Sequence, residues 1–146
     1  LAITTAAWTS VPVGTTILAQ TLAAIDKLQA DKKYGPYNLY VGTIIGNVLQ
    51  GDFSTAKGDL TIRQRLEQVD AGGRKLKVRT TDFLPAATAV LIQMTSDVVD
   101  VIDGQRPTVI PWSSLDGFTV HNLVLACVLN RFSSDYDSNS GVCVIS

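Results

Sequence analysis

The chain has very little of what catalysis or metal binding is built from. Its 146 residues include one histidine, His121, and two cysteines, Cys127 and Cys143. His121 sits in an apolar run with no triad-like serine, cysteine or carboxylate motif beside it, so a structural role is expected. Cysteine and histidine never cluster at metal-ligand spacing, so no metal site is expected. Two cysteines are too few for a disulfide framework, and two reduced, buried thiols are the expectation. No run of about 18 apolar residues occurs that would cross a membrane as a helix. No charged segment precedes an apolar stretch near the start, so no secretory signal is expected. The first residue is Leu1, which suggests a processed chain or a fragment. A dominant charge is lacking too. Twelve basic residues face 13 acidic ones, for a net charge of −1. No global field points to DNA, RNA or an anionic membrane.

What is present is apolar residue. The chain is 46% hydrophobic and only 17% charged. Its length suits one domain, which buries roughly 68–70% of its unfolded surface. The low charge fits either a dense α/β core or apolar surface that meets other subunits.

The segment Asp31–Gly42 organises the rest. An apolar helix runs out in Asp31, Lys32 and Lys33, and the chain turns at Gly35-Pro36. It then continues as an alternating aromatic strand, Tyr37–Val41. Pro36 lacks an N–H and restricts the residue before it, so it closes any helix.

Residues 1–14 read as extended or irregular, with Pro12 and Gly14 as punctuation and Trp8 as the one large anchor. Trp8 is expected to pack on the domain, or to contact another subunit. Thr15 or Thr16 caps a helix reaching about Ala30, with Ile17, Leu18, Leu22, Ile25 and Leu28 on one stripe. Thr43–Gln50 reads as a short helix. Its Gly42-x-x-x-Gly46 spacing lacks the Gly-Lys-Ser/Thr of a phosphate loop, so the glycines serve close packing. Gly51–Asp59 is a loop with Phe53 inserted. Leu60–Val69 is a second helix, with Ile62, Leu66 and Val69 inward and Arg63, Arg65 and Glu67 outward.

Lys75–Arg79 alternates strictly, as a half-exposed strand does. Arg74, Lys75, Lys77 and Arg79 make a small basic patch. No aromatic residues interleave there for base stacking, so a solvated face or contacts to a neighbour are preferred to nucleic-acid binding. Asp82–Pro85 is a turn. Ala89–Thr95 and Val98–Ile102 read as buried central strands, with a turn at Asp103-Gly104. Residues 105–117, with Pro107, Pro111 and Gly117, read as loop. Phe118–Phe132 is a long apolar strand, and Gly141–Ile145 is expected to return against it as a C-terminal hairpin. That pairing would bring Cys127 towards Cys143. Asp135-x-Asp137-x-Asn139 opens like a calcium loop, but Ser140 and Ser146 stand where glycine and an acidic residue are needed; a polar turn is expected. Asp97, Asp100 and Asp103 read as surface carboxylates, not as paired acid and base.

The order of elements resembles the second half of the tailed-phage major capsid proteins of the Hong Kong 97 type, and the related encapsulin shell proteins. The stretches that carry the resemblance are Leu22–Leu28, Tyr34–Val41, Leu60–Val69, Ala89–Val99, Val128–Phe132 and Gly141–Ile145. It runs from about residue 15 to the end. It implies an α+β capsid fold: an axial domain with a central sheet and flanking helices, plus part of the peripheral domain. The implied division is 1–36 for a peripheral segment with the spine helix (about 15–30), 37–111 for the axial domain, and 112–146 for the closing strands of the peripheral domain, the long C-terminal hairpin. The family's N-terminal arm and extended loop have no counterpart in this stretch. Covalent cross-linking and cargo docking are therefore not carried over. The chain is expected to be a piece of a longer subunit, or a reduced version.

The implied function is structural, not enzymatic. It is a capsid protein that self-assembles into an icosahedral shell around a viral genome, with a virion location and assembly in host cytoplasm. The alternatives are an encapsulin-like nanocompartment shell and a small α/β ligand-binding or enzyme domain. Expected partners are copies of the same chain, other capsid segments or minor capsid proteins, and packaged DNA only indirectly. No cofactor, membrane or small-molecule substrate is expected. Candidate assembly contacts are Lys32, Lys33, Tyr34, Pro36, Tyr37, Arg63, Arg65, Arg74, Lys75 and Lys77.

Overall fold

A computed structural model describes residues 2–3, 8, 14–54, 60–85, 87–136 and 139–145. The sequence readings of residues 1–14 (other than Ala2, Ile3, Trp8 and Gly14), of residues 55–59 and of Asp137 lie outside that set. The fold is mixed α+β. Among the described residues, three helices, α1 (Gly14–Ala30), α2 (Thr43–Val48) and α3 (Ile62–Glu67), accompany a central sheet. That sheet contains β1 (Ala2–Ile3), β2 (Tyr37–Val41), β5 (Lys77–Thr80), β6 (Ala89–Gln93) and β9 (Val142–Ile145), in the order β1-β9-β6-β2-β5. Between α3 and β5, β3 (Asp70–Ala71) and β4 (Arg74–Lys75) form a small hairpin. Two long strands, β7 (Val99–Ser113) and β8 (Val120–Phe132), pair with each other as a separate ribbon.

Strand alternation explains the core. In β2, Tyr37, Leu39 and Val41 face inward; Ala89, Leu91 and Gln93 do so in β6, and Cys143 and Ile145 in β9. The register aligns Leu39 with Leu91 and Leu91 with Cys143, giving an apolar row across three strands. Burying each such leucine contributes about 1.5–3 kcal/mol. Helix α1 joins the same core through Ile17, Ala24, Ile25 and Leu28. Its buried stripe passes through Thr21 and Ala24, while Leu22 is largely exposed. The expected stripe through Leu22 is thus corrected. A 3.6-residue period favours 17, 21, 24, 25 and 28, and the small side chains let the helix lie close to the sheet. The Thr21 hydroxyl satisfies itself by donating to the Ile17 carbonyl at 2.8 Å. Trp8 is buried, as expected of an anchor, and its indole N–H donates to the Gln20 side chain.

The corner after α1 is built differently from its sequence signal. The helix ends before Gly35-Pro36, at a Schellman turn. Lys33 N–H donates to Leu28 O at 2.9 Å and Lys32 N–H to Gln29 O at 3.0 Å, with Lys32 left-handed at φ 60°. Gly35-Pro36, a cis peptide, shapes the step into β2. A Cβ on Gly35 would lie 2.8 Å from the Ala71 carbonyl oxygen, so the corner packs directly on the β3 turn. Three carbonyls in it are satisfied from elsewhere. The Tyr37 hydroxyl donates to Lys33 O, Gln93 Nε2 to Tyr34 O at 2.9 Å, and Met94 N–H to Pro36 O at 2.8 Å.

Helix α2 follows β2 at Gly42. Gly46 touches Thr80, where a Cβ would meet the threonine side chain at 2.6 Å, in keeping with glycines that serve packing. Helix α3 opens with a capping box between Thr61 and Gln64. Ile62 and Leu66 are buried; Val69 packs at the core's edge.

Four expectations about the second half are corrected. Val98–Ile102 is not a buried central strand: Val98 is buried, but from Val99 the chain leaves the core. Asp103-Gly104 is not a turn, and residues 105–113 are strand. Pro107 and Pro111 suggested loop because proline cannot donate to a ladder. In a two-stranded ribbon each strand has a free side; Pro107 falls within the register shift between Gln105 and Thr108, while Pro111 stays in register opposite Asn122. Finally, β8 does not pair with β9. β8 pairs with β7, while β9 inserts between β6 and β1. Cys127 and Cys143 therefore lie in different sheets, Cys127 exposed and Cys143 buried.

Candidate assembly surface

The ribbon is the feature that sequence reasoning did not find. β7 has 15 residues and β8 has 13, and they pair only with each other among the described residues. At about 3.3 Å per residue the ribbon reaches roughly 46 Å from base to tip. Every residue of β8 is exposed. Alternation places Ile110 opposite Leu123 and Thr108 opposite Leu125 on one face, and Val109 opposite Val124 and Ser113 opposite Val120 on the other. Both faces thus carry exposed apolar side chains, with polar ones such as Thr108, Ser113, His121 and Asn122 among them. A two-stranded hairpin alone is marginal in water. The chain's accessible surface is 9236 Å², about 2,000 Å² above the roughly 7,250 Å² expected of a compact monomer of its mass. Stable interfaces cover about 800 Å² per partner, and obligate ones more.

The base of the ribbon is held at Val98, whose carbonyl accepts from Ser133 N–H at 2.9 Å. A Cβ on Gly141 would lie 2.6 Å from Val98 Cγ2, so β9 can enter only with glycine there. The tip is a closed turn. Ser114 N–H donates to Thr119 O at 2.8 Å, Phe118 N–H donates to Asp116 Oδ1 at 3.1 Å, and Gly117 takes φ 70°. It presents Leu115 and Phe118 almost wholly to solvent. Beside it, the Trp112 and His121 rings stack at 5.2 Å between centroids. The histidine therefore has a cross-strand partner. No group of three or more His, Cys, Asp or Glu able to hold a metal occurs among the described residues.

A signal for the ribbon was present in the sequence. Thr108, Val109, Ile110 and Trp112 are all strand formers. The two prolines masked it.

The ten residues suggested as assembly contacts do not form one surface. Tyr37 is core, and Lys33 is buried with its ammonium 3.2 Å from Asp135 Oδ2. Lys32 and Tyr34 are exposed at the corner, and Pro36 is half-buried between them and β2. Arg63 pairs with Glu67 at 3.1 Å and donates to Val78 O at 3.2 Å. Arg65 donates to Gln68 Oε1 at 3.1 Å and lies 6.0 Å from the Phe53 ring centre. Arg74, Lys75 and Lys77 are exposed; Lys75 and Lys77 line a groove of about 720 Å³ between α3 and β5 together with Arg63 and Arg79.

The architecture is a compact α+β body from which a long ribbon projects. No protein-family model matches the chain, and no curated protein sequence matches it. Among solved structures it is similar to the virus-like particle from Pyrococcus furiosus, at a TM-score of 0.67 and 16% identity. The match covers 99% of this chain and 55% of that one, so the chain spans about half the length of the protein it resembles. At that identity the likeness shows the fold alone: the chain folds like part of that virus-like particle's subunit.

Proposed function

We propose that the chain is part or all of a subunit that self-assembles into a closed, multi-copy shell. The observation that carries this is the ribbon, which exposes apolar side chains on both faces and projects from a fold similar to a virus-like particle's. A lone monomer gains nothing from about 2,000 Å² of extra surface. A shell subunit covers it with neighbours, or with further shell polypeptide.

The finer assignment is a capsid of the Hong Kong 97 type around a viral genome, with the alternative of an encapsulin-like nanocompartment. Within it we redraw the division proposed at residues 36 and 111. The packing of α1 on the sheet supports grouping it with the axial unit. The ribbon, which runs through residue 111, is the peripheral part.

Two measurements test this. Negative-stain microscopy and sedimentation of the purified protein should show uniform particles of many copies. A protein that stays monomeric at high concentration, alone and in its full-length context, would sink the shell reading. Nuclease-protected nucleic acid inside the particles supports a genome capsid; protein cargo supports a nanocompartment.

A further inference from the structure

The central sheet has a second face, opposite α1, and it is open. On it, Tyr40, Val90, Ile92 and Val142 form the floor of a groove of about 580 Å³, with Leu84 and Met94 as walls. The base of the ribbon borders this groove, through Val99 and Phe132. The tip of the same ribbon is roughly 46 Å away. There Leu115 is fully exposed and Phe118 is 93% exposed. Large apolar side chains held this far into water by a closed turn are preorganised for a pocket. The groove of their own copy is out of reach.

Charge matches as well. Asp116 is the one charged residue in the turn 114–119. Met94 lines the apolar groove and also an adjoining one with Arg74, Lys75 and Lys77. None of these three cations has an ion-pair partner among the described residues. We propose that the tip of one ribbon docks in the open-face groove of a second copy, with Leu115 and Phe118 on the apolar floor and Asp116 against Arg74, Lys75 and Lys77. Knob and hole are different surfaces of one chain, so the contact is heterologous. Repeated, it closes rings or lattices and does not stop at a dimer. The inference rests on the shell reading and supplies one contact for it.

The test uses particles assembled from an equal mixture of heavy-isotope and normal protein, with a photo-cross-linker at position 118. Mixed-isotope cross-links should map to residues 84–94 or 142. The double variant Leu115→Asp with Phe118→Asp alters only exposed side chains. It should keep the wild-type melting temperature and lower the assembled fraction at least about tenfold, as loss of a hot spot does. Asp116→Lys should weaken assembly, and Lys75→Asp with Lys77→Asp in the same chain should restore it. Particles whose cross-links fall only on other ribbons, or within one chain, overturn this inference and leave the shell reading standing. A tip that instead inserts into lipid vesicles, seen by flotation, also overturns it. A wild-type protein with no particles and no cross-links between chains overturns both.

Discussion

The Lys33 ammonium lies 3.2 Å from the Asp135 carboxylate and ties the end of α1 to the segment that follows the ribbon. The pair is lopsided. The Lys33 side chain is 11% exposed and that of Asp135 is 60% exposed. Solvent at the acid screens the attraction, while burial of the amine makes losing its partner expensive. Asp135→Ala should therefore destabilise by about 1 kcal/mol, and Lys33→Met by less, because methionine fills the same channel without a charge. Urea denaturation of both variants checks this. Equal and negligible effects would mean that the pair acts as an ordinary surface contact.

Lys32 occupies the left-handed position of the Schellman turn, where glycine is normally preferred. A non-glycine residue there costs on the order of 1 kcal/mol. Lys32→Gly should raise stability by about 0.5–1 kcal/mol, read as a rise of a few degrees in melting temperature. Lys32→Ala should not, since alanine keeps the Cβ that causes the strain.

Most strands and helices of the first ninety residues were legible because each carries a strong local signal. However, β1 and the β3–β4 hairpin were not foreseen, and the single strand expected over Lys75–Arg79 is broken at Leu76 into β4 and β5. Helix α1 begins at Gly14, before the threonines expected to cap it. The Tyr37–Val41 alternation, the Gly42 start of α2 and the run after Thr61 all fold as the pattern implies. The register of the second half was not legible. A long strand such as Val120–Phe132 announces itself, but its partner is chosen by packing at the base, where Val98 and Gly141 meet. Prolines 107 and 111 pointed away from strand because their tolerance depends on each ribbon strand having a free side, which is a tertiary fact. The corner was legible as a stop. Its mechanism was not, since no residue type at Lys32 signals a left-handed turn.

Stability should fall in alkali. Burial is the main cause that raises the Cys143 thiol above its ordinary value of 9.0, and likewise the Tyr37 hydroxyl above 10.0. Both groups are neutral in the folded state and ionise more readily once unfolded. Their contribution is fully present below pH 9 and is lost as pH rises through the raised values. The denaturation midpoint should stay flat in this respect between pH 7 and about 8.5, then drop. Cys143→Ala should cost stability at neutral pH through the lost packing, yet flatten the alkaline limb. An alkaline limb unchanged in both Cys143→Ala and Tyr37→Phe would assign the loss to other groups.

The two thiols should report assembly directly. Cys143 sits in the row Leu39–Leu91–Cys143 beneath α1, while Cys127 stands opposite Gln105 in the ribbon, open to solvent. In dissociated subunits a thiol reagent at neutral pH should modify Cys127 rapidly. Cys143 should react only on unfolding, because it is buried and its thiolate is disfavoured. No disulfide between them should form under mild oxidation, since they belong to separate sheets. In assembled particles the ribbon's apolar faces are covered, and labelling of Cys127 should slow at least about tenfold relative to the subunit, tracking the fraction of open ribbon. Equal Cys127 reactivity in subunit and particle would place that face of the ribbon at the outside of the shell. The contacts between copies would then have to be carried by the tip and the opposite face.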